Sequence, residues 1–261
     1  MKNDLQVAII QPDTYWENPE ANRSELEEMI SSLDTSVDLI AMPEMFSTGF
    51  STNPQKIAEP MNLTTHRWMK QMAKRYNAAI CGSLVIKEGE NFFNRLLFVK
   101  PDGETSFYDK RHLFAYGGED ALYSKGSEQV IINYKGWNIC PLICYDLRFP
   151  VFSRNNKLEY DILLYAANWP AKRENVWETL LKARAIENQA YVIGVNRVGT
   201  DENKLVYNGH SAIIDPKGYE LKKLGNKSEM SISTLSKKNL DDFREKFPAH
   251  LDADDFQLMK G

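Results

Sequence analysis

The chain has 261 residues, of which 43% are hydrophobic, and a formal net charge of −4. This suits a substantial core, and we expect one domain over residues 1–261 with a C-terminal tail at about 248–261. Proteins that bind nucleic acid or anionic membranes usually carry a basic surface, so the charge argues against both partners, and no stretch is apolar enough to span a bilayer. The three cysteines are too few for a disulfide framework and lack zinc-site spacing, which favours a reducing, cytoplasmic compartment.

In the first half of the chain, apolar runs alternate with segments of helical periodicity. Residues 5–11 form a near-continuous apolar run, which is typical of a central strand buried on both faces. In residues 18–32 the apolar side chains recur at helical spacing, and Pro19 lies where a helix begins. The same criteria predict a strand at 37–42, a helix at 64–76, a strand at 78–86 and a hairpin of 91–100 and 104–109.

The second half repeats this plan. Residues 137–143 predict a strand that leads directly into Cys144 and a following helix. The further predicted elements are strands at 160–166 and 190–196, a helix at 174–188, a hairpin of 210–215 and 219–223, and a capped helix at 236–247. Strand–helix alternation followed by hairpins predicts an α/β sandwich. Because Glu44 and Cys144 both follow strand ends, where α/β folds collect their ligands, we expect them to share a site.

Cys144 is the candidate nucleophile. A thiol at the end of a strand and the start of a helix lies beside backbone N–H groups, which favour negative charge and are expected to lower its pKa and to stabilise an oxyanion. The alternative is a buried core cysteine, the usual fate of a free thiol and our interpretation of Cys81 and Cys140. This segment alone leaves both readings of Cys144 open.

Glu44 and Lys110 are the candidate partners of that thiol. A cysteine nucleophile needs a base to take its proton, and it needs positive charge or N–H donors where the oxyanion forms. A carboxylate at one strand end and an ammonium at another could supply both. Taken alone, each residue would be an ordinary charged group on the surface.

With these residues in view, the chain resembles the nitrilase, or carbon–nitrogen hydrolase, superfamily. The motifs that carry the resemblance are MPEMF (42–46), YDKRHLF (108–114), ICYDLRFP (143–150), ANWP (167–170), ARAIENQ (183–189) and GHS (209–211), all in the family's order. The resemblance covers nearly the whole chain. It implies a Glu44–Lys110–Cys144 triad on an α-β-β-α sandwich, in which two mixed sheets face each other with helices on the outer faces. It also implies a homodimer and a reaction without metal or cofactor.

The resemblance further assigns roles around the triad. Glu44 would take the thiol proton, and Lys110 with the backbone N–H of Tyr145 would hold the oxyanion of a reaction that passes through a Cys144 thioester. Some members of the superfamily carry a second glutamate after the lysine motif. Glu119 matches that position best, and the alternative is a solvated loop carboxylate.

Within the superfamily, residues 45–50, 144–155 and 167–173 look most like the omega-amidase branch, which hydrolyses the terminal amide of 2-oxoglutaramate and 2-oxosuccinamate. Such a small-molecule amide carries a distal carboxylate that an arginine can bind in bidentate fashion. Arg173 is the first candidate for this contact, whereas Arg148 could be structural and pair with a loop acid. The other candidates around the substrate, each of which could equally belong to the core, are Phe46, Phe50, Tyr145, Asn168 and Trp169.

Other chemistries fit the residues less well. A papain-like site would need one of the four histidines. Of these, His112 could line the site next to Lys110, whereas His66, His210 and His250 suit structural or exposed positions. A metal hydrolase would need a clustered His/Asp pattern that is absent from the sequence. The remaining alternatives are a carbamoyl amino acid amidohydrolase, a general aliphatic amidase, an ammonia-supplying glutaminase domain and a catalytically inactive scaffold.

Overall fold

The structure is a computed structural model that describes residues 4–257. In chain order its strands are β1 (Leu5–Gln11), β2 (Leu39–Ala41), β3 (Ala79–Glu88), β4 (Asn91–Val99), β5 (Thr105–Asp109), β6 (Ile132–Tyr134), β7 (Trp137–Ile143), β8 (Ile162–Ala166), β9 (Tyr191–Val195), β10 (Val198–Thr200), β11 (Val206–Asn208), β12 (Ala212–Ile214), β13 (Glu220–Lys223) and β14 (Glu229–Leu235). The helices are α1 (Pro19–Ser31), α2 (Pro54–Ile57), α3 (Thr64–Tyr76), α4 (Pro150–Ser153), α5 (Glu174–Asn188) and α6 (Lys237–Lys246).

Two six-stranded mixed sheets form the body of the molecule. The strand order is β14-β1-β2-β3-β4-β5 in the first sheet and β13-β12-β9-β8-β7-β6 in the second. The central trios β1-β2-β3 and β7-β8-β9 are parallel, and the flanking strands are antiparallel. A separate two-stranded ribbon of β10 and β11 follows β9 along the chain.

Alternation along β1 shows how the layers are built. Val7 and Ile9 point into the core between the two sheets, together with side chains of β7, β8 and β9. Ala8 and Ile10 point to the opposite face and pack against α1 and α3. Successive side chains of a strand face opposite ways, so a strand that is covered on both faces must be apolar throughout.

Helix α5 packs on the second sheet at Gly194 of β9. A Cβ atom at this glycine would lie 2.6 Å from Leu181 Cδ1 and 2.9 Å from Trp177, so only glycine permits this approach of helix and strand. Helix α6 packs near the end of α5, because Leu240 is buried in the same apolar cluster as the α5 side chains and Arg244 donates to the carbonyls of Gln189 and Tyr160. The predicted α/β sandwich is therefore confirmed.

The segment after Cys144 differs from the prediction. In place of a regular helix, a 3₁₀ turn covers Cys144–Arg148 and a single helical turn, α4, begins at Pro150. A proline pushes the residue before it out of the helical region, and Phe149 accordingly has φ −115° and ψ 88°. In the predicted tail, a 3₁₀ turn covers Ala249–Asp252, and residues 258–261 lie outside the described part of the chain.

Candidate active site

The structure brings Glu44, Lys110 and Cys144 together. Glu44 follows β2 of the first sheet, Lys110 follows β5 of the same sheet, and Cys144 follows β7 of the second. Lys110 Nζ lies 2.8 Å from Glu44 Oε1. Both of these side chains are buried, whereas Cys144 is half-buried and its thiol faces the Glu44 carboxylate. The three groups thus meet where the two sheets face each other.

Cys144 has a strained backbone. Its φ of +42° lies in the left-handed region, which residues with a Cβ atom rarely adopt. The 3₁₀ turn begins at this residue, and the first N–H groups of a helical turn have no acceptor within it. Tyr145, the next residue, can therefore present its N–H to an oxyanion, and its ring lines the adjacent cavity.

A buried aspartate connects the cysteine turn to the lysine segment. Asp146 Oδ2 accepts the N–H of Ile143 at 2.9 Å and the hydroxyl of Tyr108 at 2.8 Å. Its Oδ1 accepts the backbone N–H of His112 at 3.0 Å and lies 2.7 Å from the Nδ1 atom of that ring. The prediction that His112 could line the site is wrong, because its ring stacks on Phe149, with centroids 3.9 Å apart, outside the cavity.

Glu119 is buried beside Lys110 rather than solvated. Its Oε2 lies 2.9 Å from Lys110 Nζ and accepts the N–H of Phe114 at 2.6 Å. Asn94, which no motif singled out, donates through Nδ2 to Glu44 Oε1 at 2.8 Å and to Glu119 Oε1 at 3.1 Å. The site therefore holds two carboxylates and one ammonium around the thiol.

Burial and neighbouring charges set the protonation of these groups. Burial alone would lower the pKa of the Lys110 ammonium, but the carboxylates of Glu119 and Glu44 outweigh it and raise that pKa. Burial and the Glu44 charge raise the pKa of the Cys144 thiol well above its ordinary value, although Lys110 opposes them. Burial also raises the pKa of Glu119. The expected lowering of the thiol pKa is thus not found, so the resting cysteine is a neutral thiol that needs a base.

A cavity of about 230 Å³ opens onto the triad. Its walls include Phe50, whose ring centroid lies 5.5 Å from Lys110 Nζ, and the side chain of Trp169. Phe46, also predicted for this wall, is fully buried in the core under the first sheet, where it packs against Trp68 with ring centroids 6.0 Å apart. The structure therefore places Phe46 outside the cavity.

Two arginines face the cavity from aromatic walls. The guanidinium of Arg173 lies over the Phe114 ring at 5.4 Å, and that of Arg148 lies over the Trp169 ring at 5.1 Å. Neither forms an ion pair with any residue between 4 and 257, so the predicted pairing of Arg148 with a loop acid is absent there. Cationic groups that are stabilised only by aromatic faces remain available to an anion.

Asn168 connects the second sheet to Glu44. Its backbone N–H donates to Glu44 Oε2 at 2.9 Å, and its Nδ2 donates to the Glu44 carbonyl at 2.6 Å. Its own carbonyl lies 3.8 Å from Cys144 Sγ. The side-chain Oδ1 is buried and accepts no hydrogen bond from the described chain, although the residue lines the cavity. The side chain of Asn168 therefore keeps one acceptor without a partner in the described chain.

One group among residues 4–257 has the composition of a metal site. Ligand atoms of Glu174, Glu178 and His210 all lie within 4.8 Å of one another. The Lys223 ammonium, 2.7 Å from Glu178 Oε1, offsets one of the two carboxylate charges, and His210 Nδ1 lies 2.5 Å from the same Glu178 oxygen. No helix in the described part of the chain is long and apolar enough to cross a membrane.

Comparison with known proteins shows the family. The model of the carbon-nitrogen hydrolase family matches residues 6–245, and the chain belongs to that family. It is 42% identical to the omega-amidase YafV of Yersinia enterocolitica over 98% of this chain and 99% of the relative. It is 30% identical to the 2-oxoglutaramate amidase of Bacillus subtilis over 93% of this chain and 95% of the relative.

A solved structure shows the same fold. The protein XC1258 of Xanthomonas campestris, a member of the same superfamily with an arsenic adduct in its active site, superimposes with a TM-score of 0.96 at 42% identity. The match covers 98% of this chain and 99% of that one. The sandwich is therefore the nitrilase-superfamily fold, and the protein is an amidohydrolase of the omega-amidase type.

Proposed function

We propose that the protein hydrolyses the terminal amide of small 2-oxo dicarboxylic acid monoamides, such as 2-oxoglutaramate and 2-oxosuccinamate, to the acid and ammonia. The observation that carries this proposal is the pair of unpaired guanidiniums, Arg148 and Arg173, in the cavity that opens onto Cys144. A substrate with an amide at one end and a carboxylate at the other fits such a cavity. The activities named for the two relatives support the same class.

In the proposed reaction, Glu44 takes the proton of Cys144 as the sulfur attacks the amide carbon. Lys110 and the N–H of Tyr145 stabilise the oxyanion, and one such donor contributes on the order of 3 kcal/mol. The two oxygens of Glu119 lie 3.1 and 2.9 Å from Lys110 Nζ and can share one N–H group, and Glu44 Oε1 accepts a second, which leaves the third for the oxyanion. The proton on Glu44 then passes to the departing ammonia. Glu44 next activates the water that hydrolyses the thioester and releases the acid.

Asn168 would position the amide of the substrate. Its unpartnered Oδ1 can accept an N–H of the scissile amide, which has two N–H groups to satisfy. Such a contact favours a primary amide over an ester, because an ester would leave this buried oxygen without a donor.

The charges in the cavity also favour a 2-oxo acid over an amino acid. Glutamine would bring an α-ammonium close to two guanidiniums. Asp201 lines the cavity as well, but its oxygens already accept the N–H of Leu205 and the hydroxyl of Tyr207. A buried charge without a partner costs several kcal/mol, so we expect at least a hundredfold lower kcat/KM for glutamine and asparagine.

A carbamoyl amino acid amidohydrolase is the second candidate function, because the same two arginines would bind the carboxylate of a carbamoyl amino acid. A general aliphatic amidase would have no use for these cations, and a catalytically inactive scaffold would not need the intact triad. Ammonia release from 2-oxo acid amides, glutamine, asparagine, carbamoyl amino acids and simple nitriles separates these functions. A preference for carbamoyl amino acids or glutamine would overturn the substrate assignment and leave the amidohydrolase intact.

Variants of Arg148 and Arg173 test whether these residues bind the carboxylate of the substrate. Arg148→Ala and Arg173→Ala should each raise KM for the 2-oxo acid amides about tenfold or more, because a charge-assisted contact is lost. The rate with a neutral amide of similar length should change little. Arg67→Ala, which removes an exposed arginine of α3, is the control. An equal loss of activity on charged and neutral amides would show that the arginines do not bind the carboxylate.

We further propose a homodimer in the cytoplasm, built from a single carbon–nitrogen hydrolase domain that acts on small molecules without metal or cofactor. The family resemblance supports the dimer, and the small number of cysteines supports a reducing compartment. Light scattering at two protein concentrations tests the homodimer, and dialysis against a chelator tests the reaction without metal. A monomer, or a loss of activity that metal restores, would contradict them.

A further inference from the structure

Asn94 contacts more of the active site than any motif suggested. It lies on β4 and is 1% exposed. Its Nδ2 donates to Glu44 Oε1 at 2.8 Å and to Glu119 Oε1 at 3.1 Å. Its backbone carbonyl accepts the N–H of Lys110 at 3.0 Å. One residue outside the cavity therefore touches two carboxylates and the backbone of the lysine between them.

A neighbouring serine fixes the orientation of the Asn94 amide. Ser83 Oγ accepts the backbone N–H of Met45 at 2.8 Å, and its own proton is donated to Asn94 Oδ1 at 2.8 Å. A backbone N–H can only donate, so this chain of hydrogen bonds runs in one direction. The reverse orientation of the amide would set Oδ1 against the carboxylate oxygens of Glu44 and Glu119. The NH₂ group must therefore face the two carboxylates.

This orientation leaves one free position on the proposed base. Glu44 Oε1 accepts from Lys110 Nζ and from Asn94 Nδ2, which fills both of its lone pairs. Glu44 Oε2 accepts only the N–H of Asn168 within the described chain, and one lone pair remains. Glu119 offers no alternative site, because each of its oxygens has two N–H donors within 3.1 Å.

We propose that Asn94, oriented by Ser83, is a positioning residue that keeps Glu44 Oε1 occupied and directs the Cys144 proton to Glu44 Oε2. In this step the S–H bond breaks and an O–H bond forms on Oε2, with no other reactant. Asn94 touches neither the substrate nor the sulfur and acts through Glu44 and Glu119. The inference rests on the proposed function only in taking Glu44 as the base.

The proposal is tested by replacing the side-chain amide of Asn94 with a carboxyl group. Asn94→Asp keeps the shape and the Oδ1 acceptor but removes the NH₂ donors and places a third carboxyl group against Glu44 and Glu119. The titratable groups that face Glu44 are Lys110, Glu119, Cys144 and Tyr123, and all of them remain in the variant. Loss of a hydrogen bond to a charged group should shift the pH dependence of Cys144 alkylation by iodoacetamide upward by about one unit.

The same change should lower kcat at least tenfold and leave KM within about twofold, because Asn94 does not line the cavity. Ser83→Ala frees the amide to turn and should shift the profile in the same direction by a smaller amount. This second variant keeps the proposal testable if Asn94→Asp does not fold. Alkylation is followed at Cys144 by mass spectrometry of the digested protein, which distinguishes it from Cys81 and Cys140.

Matched controls separate positioning from stability. Asn155→Asp changes another buried asparagine that donates to backbone carbonyls, and Ser153→Ala changes another buried serine, both away from the triad. These variants should lose stability without moving the alkylation profile. The proposal is overturned if Asn94→Asp and Ser83→Ala fold and keep the wild-type profile, or if the controls shift it equally.

The alkylation profile does not depend on the substrate, so the two proposals can fail separately. If the wild-type protein releases no ammonia from 2-oxo acid amides but the profile shifts in Asn94→Asp, the substrate assignment fails and the role of Asn94 stands. If the wild-type protein hydrolyses these amides and the profile does not shift in Asn94→Asp, the substrate assignment stands and the role of Asn94 fails.

Discussion

At the scale of single residues, the active site combines strain with desolvation. Cys144 keeps a left-handed backbone that costs a residue with a Cβ atom about 1–2 kcal/mol. Its thiol is neutral at rest, because burial and the Glu44 charge both disfavour the thiolate. In the proposed mechanism the thiolate is needed only at the moment of attack, when the Lys110 ammonium and the turn N–H groups stabilise the negative charge that develops on the substrate.

Substitution of Cys144 should separate activity from stability. Cys144→Ala and Cys144→Gly should both lose turnover, by at least about a thousandfold, because no other nucleophile replaces the sulfur. Cys144→Gly should be the more stable of the two by about 1 kcal/mol, since glycine adopts a positive φ without strain. Urea unfolding of the two variants checks this order. Cys140→Ala, in the strand that leads to Cys144, should keep most of the activity.

Accessibility then decides which cysteine an alkylating reagent reaches. Cys81 and Cys140 are fully buried, and burial raises the pKa of the Cys81 thiol to about 12. Cys144 also has a raised pKa, but it is half-buried and lines the cavity. We therefore expect it to label first because the reagent can reach it. First labelling of Cys81 would contradict the assignment of the nucleophile.

The sequence predicts the triad because the chemistry demands particular residue types at strand ends, and the motifs around Glu44, Lys110 and Cys144 show them. It does not predict Asn94, since an asparagine within a strand looks like any polar residue until the packing shows what its amide meets. The prediction that Phe46 lines the cavity is wrong for the converse reason. An aromatic residue next to a catalytic glutamate can face the cavity or the core, and only the position of α3 decides between them.

At the scale of elements, hydrogen bonds between turns hold the catalytic segments in register. Asp146 joins the turn after β7 to the segment after β5, and Asn168 joins the end of β8 to the turn after β2. The strands themselves are predictable from their apolar runs. The turns between them are less predictable, because a 3₁₀ turn has no hydrophobic period of its own. For this reason the sequence predicts a regular helix after Cys144, where the structure has a 3₁₀ turn.

A buried histidine connects α3 to β5 and should make stability depend on pH. His66 Nδ1 accepts the N–H of Asn62 at 3.1 Å, and Nε2 lies 3.0 Å from Thr105 Oγ1, so the ring is neutral with its proton on Nε2. Burial and the nearby Lys70 lower its pKa to about 4 from an ordinary value of 6.5. Between these two values the unfolded chain binds a proton that the folded protein does not, so stability falls as the pH falls.

The variant His66→Gln should remove this dependence. Its melting temperature should lie below that of the wild-type protein at neutral pH, and the difference should shrink as the pH falls from about 6.5 toward 4. Differential scanning calorimetry across this range measures the effect. His250→Gln, which changes a histidine of the C-terminal 3₁₀ turn, is the control. A constant difference in melting temperature between His66→Gln and the wild-type protein at every pH would show that His66 does not cause the pH dependence of stability.

At the scale of the whole molecule, the active site exists only while the two sheets are packed together. Glu44 and Lys110 belong to the first sheet and Cys144 and Asn168 to the second, and the two hydrogen bonds of Asn168 to Glu44 cross between them. Trp137 of β7 is among the largest fully buried side chains of the core that the sheets share, and Trp177 of α5 packs on Gly194 of the second sheet. Loss of this core therefore removes the catalytic constellation as well as the environment of the tryptophans.

Loss of activity and the change in tryptophan fluorescence should therefore occur at the same urea concentration. Separation of the sheets moves Glu44 away from Cys144 and exposes Trp137 to water, and Trp177 is exposed when α5 leaves the second sheet. If unfolding is one cooperative transition, activity and fluorescence should change with coincident midpoints. Ammonia release and fluorescence measured on the same samples, at two protein concentrations, test this. Activity that disappears well before the fluorescence changes would mean that the site unfolds locally within one sheet. Activity that persists beyond the fluorescence transition would mean that the catalytic residues do not depend on the packed core.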